Sequence, residues 1–259
     1  MQTKYPIVLV HGVALKNWQV VKAFGRIGKT LQKEGYIVFS ANTDGFGSIE
    51  NNAKQLKSEI QEILRQVGAE KVNIIAHSKG GLDSIYMINE LGMANSVASL
   101  TTLSTPHKGS GVATMMYDLP IWIKSFLAFW INLWYRILGD KTPDALTVCE
   151  QLKLTENGEL KQSSMPNEIY CQSYSSTLKN TRDDFLMAIP LQFSRRFDSW
   201  DTDGLVSVES AKFAEYKGNL LDESLSHSEI VGYSMKKKKR EKVYAFYLHL
   251  CKELSEQGF

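Results

Sequence analysis

The stretch Val72 to Gly81 reads VNIIAHSKGG, which sets Ser78 in the run Ala76-His77-Ser78-Lys79-Gly80 between an apolar, β-branched segment and a helical pattern. A sharp strand-to-helix turn needs small residues two before and two after such a serine, because its strained backbone brings those positions against neighbouring strands. Ala76 and Gly80 meet that need. The turn would present a hydroxyl for nucleophilic attack and place the Lys79 amide at a helix N-terminus, where it stabilises a developing oxyanion. A second donor should come from the loop after the first buried strand, and the Val13 amide in His11-Gly12-Val13 is the candidate. The plainer alternative is a serine that caps a helix in a tight turn.

A serine hydroxyl is a poor nucleophile until a histidine accepts its proton, and a carboxylate must hold that histidine in the right tautomer. Of the five histidines, His11 precedes a strand-end glycine, His77 adjoins the serine, His107 sits in Thr105-Pro106-His107-Lys108-Gly109, and His249 falls inside a closing helix. His227, in the polar stretch Ser224 to Ser228, is left as the base. With the chain order serine, acid, histidine, the acid lies between residues 78 and 227 after a late strand. In Trp200-Asp201-Thr202-Asp203-Gly204-Leu205-Val206, Asp203 before the glycine turn is preferred to Asp201 and to Asp198.

The elements that must position these groups are legible as periodicity. Ile7 to Val10, Ile37 to Phe39, Val72 to Ala76 and Val97 to Leu103 are short apolar runs of the kind buried on both faces of a sheet. Ile49, Ala53, Leu56, Ile60, Ile63, Leu64 and Val67 recur at helical spacing between two of them, and Gly81 to Leu91 reads as a second helix. Such alternation predicts an α/β fold with a mostly parallel central sheet. Further strands are expected at Ile169 to Tyr174 and Leu205 to Val208, a polar loop from Thr142 to Glu168, and a closing helix from Lys236 to Leu254. The whole reads as one domain, residues 1–259, with an insertion at about 112–150.

The net charge of +2 hides a run of six cations and one acid from Lys236 to Lys242, so the rest of the chain is slightly acidic and nucleic acid is not the expected partner. That run is read as a solvated first turn of the closing helix. Cys149, Cys171 and Cys251 form no metal-ligand pattern, and a reducing compartment is the simpler expectation. The first apolar run is too short for a signal peptide, so the expected location is cytoplasmic, or outside the cell by a route without a cleaved leader.

These segments resemble the bacterial true-lipase family, the triacylglycerol lipases of the α/β-hydrolase fold. The resemblance is carried by Lys4 to Gly12, by Lys71 to Gly81, by Leu100 to Ser110 (LTTLSTPHKGS), by Asp203 to Val206, and by Ser226 to Val231, in the family's order. It implies a nucleophile Ser78, acid Asp203, base His227 and oxyanion amides from Val13 and Lys79. No cofactor is implied for the reaction. Several members hold a structural calcium, whose ligands would correspond here to Asp183 or Asp184 and to Glu229. A disulfide that some members carry near the acid is absent, because no cysteine lies between Cys171 and Cys251.

Seven of the chain's 27 aromatic residues fall between Tyr117 and Tyr135. As a helix, Pro120 to Leu138 has one narrow stripe of Lys124, Ala128, Asn132 and Arg136, and Trp122, Phe126, Phe129, Trp130, Leu133, Trp134 and Ile137 cover the rest. Lys124, Asn132 and Arg136 argue against a transmembrane span. A buried helix is the plain reading, and a helical lid whose inner face covers an acyl pocket explains more. The expected activity is hydrolysis of acylglycerol or other fatty-acyl esters, with a lipid–water interface as one setting. A short-chain esterase, thioesterase or phospholipase would use the same three residues, and a non-catalytic lipid-binding protein is the reading from a different class.

Overall fold

The computed structural model describes residues 2–14, 22–155, 159, 161 and 164–259. In chain order, β1 (Ile7–Val10), α1 (Ile27–Lys33), β2 (Val38–Ser40), α2 (Ile49–Val67), β3 (Val72–His77), α3 (Lys79–Glu90) and β4 (Val97–Leu103) come first. Between β4 and β5 (Tyr170–Ser175) stand α4 (Gly111–Tyr117), α5 (Ile121–Ile137) and α6 (Ala145–Leu152). Then follow α7 (Ala188–Phe197), α8 (Val208–Ala211), β6 (Glu215–Asn219) and α9 (Lys237–Glu256). The six strands are parallel and lie in the order β2-β1-β3-β4-β5-β6.

All four residues of β1 are buried because the strand has helices on both faces. Side chains alternate across it: Ile7 and Leu9 pack with Ile27, Leu31, Val243 and Tyr247 of α1 and α9. Val8 and Val10 pack with Ala53, Leu56, Ile60, Ile85 and Ile88 of α2 and α3. Each such side chain taken from water contributes about 1.5–3 kcal/mol, so the alternation makes a one-residue slip of register prohibitive. α2 starts where Ser48 Oγ accepts the Asn51 amide at 3.3 Å and stops at Gly68, whose φ of 66° suits a residue without Cβ.

Two expectations are corrected. Leu205 to Val208 is no strand, because the amides of Leu205 and Val206 fold back onto Asp203 Oδ1 at 3.0 and 2.9 Å and Ser207 caps α8. The last strand is instead β6, an edge strand (EYKGN) with alternating exposure and no apolar run. The expected polar loop from Thr142 to Glu168 contains α6, begun by Asp144, whose carboxylate accepts the Thr147 amide and hydroxyl at 3.1 and 2.7 Å. Within that stretch residues 156–158, 160, 162 and 163 lie outside the described residues.

α5 spans nearly the predicted Pro120 to Leu138, but it is not buried. Lys124, Ala128 and Asn132 of its narrow stripe face the protein, whereas Arg136 at the end of the stripe is exposed. Lys124 Nζ donates to the Tyr117 carbonyl at 2.8 Å, Asn132 Oδ1 accepts the Ala145 amide at 2.9 Å, and Ala128 is buried. Nine large apolar residues of this one helix, among them Trp122, Phe126, Phe129, Trp130 and Trp134, are exposed. The inward face roofs a cavity of about 210 Å³ lined by Phe46, Met116, Leu119, Leu127, Ile131 and Leu146 among others, and Ser78 is not one of its lining residues.

Candidate active site

Val13 follows the C-terminus of β1 and Ser78 that of β3, two adjacent strands, as in the usual crevice of an open parallel sheet. β3 ends at His77, and Ser78 takes φ 57° and ψ −136°, a strained conformation for a residue with a side chain. Neighbours hold the strain. The Ser78 amide donates to the Leu103 carbonyl at 3.0 Å, and the Ser78 carbonyl accepts from Thr105 Oγ1 at 2.8 Å and from the Gly81 amide at 3.0 Å. A Cβ at Gly80 would collide with the His11 carbonyl oxygen, and one at Gly12 would lie 2.5 Å from Ser78 Cβ. The loop after β1 is therefore pressed directly against the serine turn, and Val13, the candidate second donor, is the next residue after Gly12. Lys79 is the first residue of α3, so its amide has no acceptor within the helix.

The Lys79 side chain leaves the site altogether. It is buried and ion-paired to Asp83 at 2.6 Å, and Asn52 Nδ2 donates to the other Asp83 oxygen at 3.2 Å. Burial, opposed by the Lys79 charge, pushes the Asp83 carboxyl up to about 6.

Asp203 and His227 are brought together from loops 24 residues apart: His227 Nδ1 lies 2.7 Å from Asp203 Oδ2. Asp203 Oδ1 accepts the amides of Leu205 and Val206, and its carbonyl accepts the His227 amide at 3.0 Å. With Asp203 fully buried and engaged on both oxygens, Nδ1 carries the hydrogen and Nε2 is left as the basic nitrogen. The His227 ring sits 4.4 Å, centroid to centroid, from that of His77, the residue before Ser78. Asp201 and Asp198 do not reach His227: Asp201 offers its carbonyl to the Val208 amide, and Asp198 ends α7. His249 lies on the exposed side of α9, 3.3 Å from Glu253.

The loop Thr105 to Ser110 braces both halves of the site. Thr105 supports the serine turn, Ser110 Oγ donates to the Leu205 carbonyl at 2.6 Å, and the Gly109 carbonyl accepts from Ser210 Oγ at 2.6 Å. Its His107 is buried against Phe213 and has no part in proton transfer.

The suggested calcium ligands do not make a cation site. Glu229 is buried, and its Oε2 is held 2.7 Å from Lys239 Nζ of α9 and accepts the Ser226 amide, while Oε1 accepts from Ser234 Oγ at 2.6 Å. Asp184 Oδ2 accepts from the hydroxyls of Ser226 and Ser228 at 2.5 and 3.0 Å, and Asp183 from that of Ser224 at 2.7 Å. An ammonium already neutralises Glu229, so the donor set lacks both the vacancy and the converging oxygens that Ca²⁺ requires. Among the described residues no group of three or more His, Cys, Asp and Glu could hold a metal ion.

Sequence reasoning missed Thr105, Lys239 and the inward bonds of α5. Signals were present in the four-residue spacing of Lys79 and Asp83, in the stripe that holds Lys124 and Asn132, and in the segment LTTLSTPHKGS that holds Thr105, but none of them named a partner.

Comparison with known proteins agrees with this fold. Triacylglycerol lipase 2 of Saccharomyces cerevisiae is 28% identical over 254 residues, covering 90% of this chain and 73% of that protein. A triacylglycerol lipase of Pseudarthrobacter phenanthrenivorans is 40% identical over 122 residues, which are 45% of this chain and only 38% of that protein. The crystal structure of Staphylococcus hyicus lipase superposes with a TM-score of 0.73, covering 98% of this chain and 97% of that one, at 16% identity, a likeness of fold. A family profile described as the alpha/beta hydrolase fold matches residues 5–209. With most of the chain matched and a six-stranded parallel sheet that carries a serine turn at the end of its third strand, the protein belongs to the α/β-hydrolase fold family.

Proposed function

We propose that the protein is a serine carboxylic-ester hydrolase of the lipase type, which cleaves acylglycerol or other fatty-acyl esters at a lipid–water interface. The observation that carries this reading is the buried 2.7 Å contact of Asp203 with His227 Nδ1, whose ring lies 4.4 Å from that of His77, the residue before a serine held in a strained turn. Named triacylglycerol lipases among the relatives support the substrate class.

In the reaction, Ser78 Oγ attacks the ester carbonyl carbon as His227 Nε2 takes its proton. The C=O π pair moves onto oxygen, where the Val13 and Lys79 amides stabilise it. Collapse expels the alcohol, which leaves with the proton from His227, and the acyl group stays on Ser78. Water then attacks this acyl-enzyme, His227 takes its proton and returns it to Ser78 Oγ, and the fatty acid departs. Asp203 stabilises the imidazolium in both halves without itself being protonated. The cycle consumes only ester and water.

The interfacial part of this reading is supported by α5. A helix whose polar atoms are satisfied inward and whose aromatic residues face outward has the surface of a lipid-docking element, and tryptophan suits the headgroup boundary. No helix among the described residues is long and apolar enough to cross a membrane.

Initial rates on p-nitrophenyl esters from acetate to palmitate test the reading. Ser78→Ala and His227→Ala should each lose about a thousandfold or more in kcat with the fold intact by circular dichroism, whereas His249→Ala should stay near wild type. Full activity in Ser78→Ala would refute the assignment, and turnover limited to acetate and butyrate would make the protein a short-chain esterase.

A further inference from the structure

Tyr135, near the end of α5, points its hydroxyl away from the lipid-facing side and donates to the Ala14 carbonyl at 2.9 Å. Ala14 directly follows Val13 and has φ 63°, a left-handed conformation that costs a residue with a Cβ about 1–2 kcal/mol. Something must hold it there. Its amide donates to the Gly45 carbonyl at 3.0 Å, and its carbonyl takes the Tyr135 hydroxyl, so both of its peptide groups are pinned. The Ala14 amide belongs to the peptide that follows the Val13 Cα. The Gly45 bond fixes that plane and the Tyr135 bond fixes the next one, so the chain leaving Val13 is held, and the Val13 N–H, one plane earlier, is confined between it and Gly12, which is pressed on Ser78.

The partner that pins the Ala14 amide is itself tied to the insertion. Phe46, next to Gly45, packs edge-on against the Tyr135 ring at 4.6 Å. Its amide donates to Asp140 Oδ2 at 3.0 Å and its carbonyl accepts the Asp144 amide at 2.7 Å. Buried Asp44 accepts the amides of Lys141 and Thr142 at 2.9 and 2.8 Å. The C-terminal end of α5, the loop 44–47 and the loop after β1 thus form one hydrogen-bonded body. That body abuts the serine through Gly12.

We infer that Tyr135 is a positioning residue for the oxyanion hole, which makes the seating of α5 a condition for the Val13 amide to face the reacting oxygen. The inference rests on the hydrolase reading, since it deepens the role given there to Val13. Burial and the nearby Asp140 raise the Tyr135 pKa, so the hydroxyl remains a donor throughout the neutral and mildly alkaline range. The consequence is directional: the bond acts on the charge that develops in the transition state and leaves ground-state binding of the ester untouched.

The test uses Tyr135→Phe, which keeps the ring on Phe46 and removes one oxygen, with Arg136→Ala as a neighbour on the same exposed helix end. Rates are measured on dissolved p-nitrophenyl butyrate, and affinity is measured for an alkyl trifluoromethyl ketone, whose serine adduct bears an oxyanion. Tyr135→Phe should lower kcat and ketone affinity together by about fivefold, the worth of one neutral hydrogen bond, with KM within twofold and Arg136→Ala at wild-type values. Unchanged kcat and ketone affinity in Tyr135→Phe would overturn the inference, as would an equal loss in Arg136→Ala or a loss confined to KM. A wild-type protein that neither turns over the ester nor binds the ketone would sink the hydrolase reading, and this inference with it.

Discussion

Burial of His107 against Phe213, with Thr102 Oγ1 3.2 Å from its Nε2, lowers its pKa to about 3. His77 is also held well below the usual histidine value, first by burial and then by the nearby His227 charge. Above about pH 6.5 both imidazoles are neutral folded and unfolded, so their packing contributes in full. As pH falls below that value the unfolded chain binds protons that the folded one refuses. Stability is therefore lost from pH 6.5 down towards the folded pKa, by about 1.4 kcal/mol per pH unit for each fully shifted histidine. Urea denaturation at pH 5 should show about 2 kcal/mol less stability from His107 alone than at pH 6.5. His107→Gln should be less stable at pH 7 but have a flatter pH dependence. An unchanged slope would show that the site admits the proton. His227 differs from both in having a carboxylate on Nδ1, the arrangement a base needs.

At the scale of an element, α5 inverts the usual amphipathic arrangement. Its polar stripe is satisfied against Tyr117 and Ala145, and the aromatic majority is left in water, a cost that contact with lipid would recover. Trp130→Ser combined with Trp134→Ser should lower partitioning onto phospholipid vesicles by about tenfold, measured by co-sedimentation. The same variant should lose more activity on emulsified long-chain ester than on dissolved butyrate. Equal losses on both would mean that the outer face serves the catalytic centre instead of the interface. The cavity on the inner side, about 210 Å³, offers apolar walls from α4, α5 and α6.

At the scale of the whole molecule, α9 ties the base-bearing loop to the far side of the sheet. A helix that starts with Lys237, Lys238, Lys239 and Arg240 sets cations against its own positive end, with no acid in the first turn. Acids from elsewhere in the chain offset this: Glu229 takes Lys239 at 2.7 Å, Glu223 takes Lys242 at 2.9 Å, and Asp183 lies 3.8 Å from Lys236. The expected solvated turn is thus corrected at Lys239, which is buried two residues of loop away from His227 by way of Glu229. Lys239→Met should cost about 3–5 kcal/mol, because it leaves Glu229 buried without a cation, while Lys239→Met with Glu229→Gln should recover much of the loss. Chelation by EDTA should leave the Tm and activity of the wild type unchanged. A Tm lowered by EDTA and restored by calcium would contradict this internal neutralisation.

Much of the site was legible before any coordinate, and for a local reason. The small residues around Ser78 answer to the sterics of one turn, and chain order placed Asp203 and His227 as its partners without reference to distance. The buried runs of β1, β3 and β4 were visible because strands covered on both faces have no polar alternation. Tertiary structure alone decided which way α5 faces, because periodicity identifies two sides of a helix but not which side finds partners for its polar atoms. It decided likewise that Asp203 Oδ1 would gather the amides of Leu205 and Val206 and end a segment whose composition suited a strand. Tyr135 on Ala14 and Lys239 on Glu229 join residues 121 and 10 apart in sequence, and neither pairing has a local pattern. Periodicity and turn sterics act between near neighbours along the chain, whereas the choice of a buried partner for a hydroxyl or an ammonium is made only when distant segments pack.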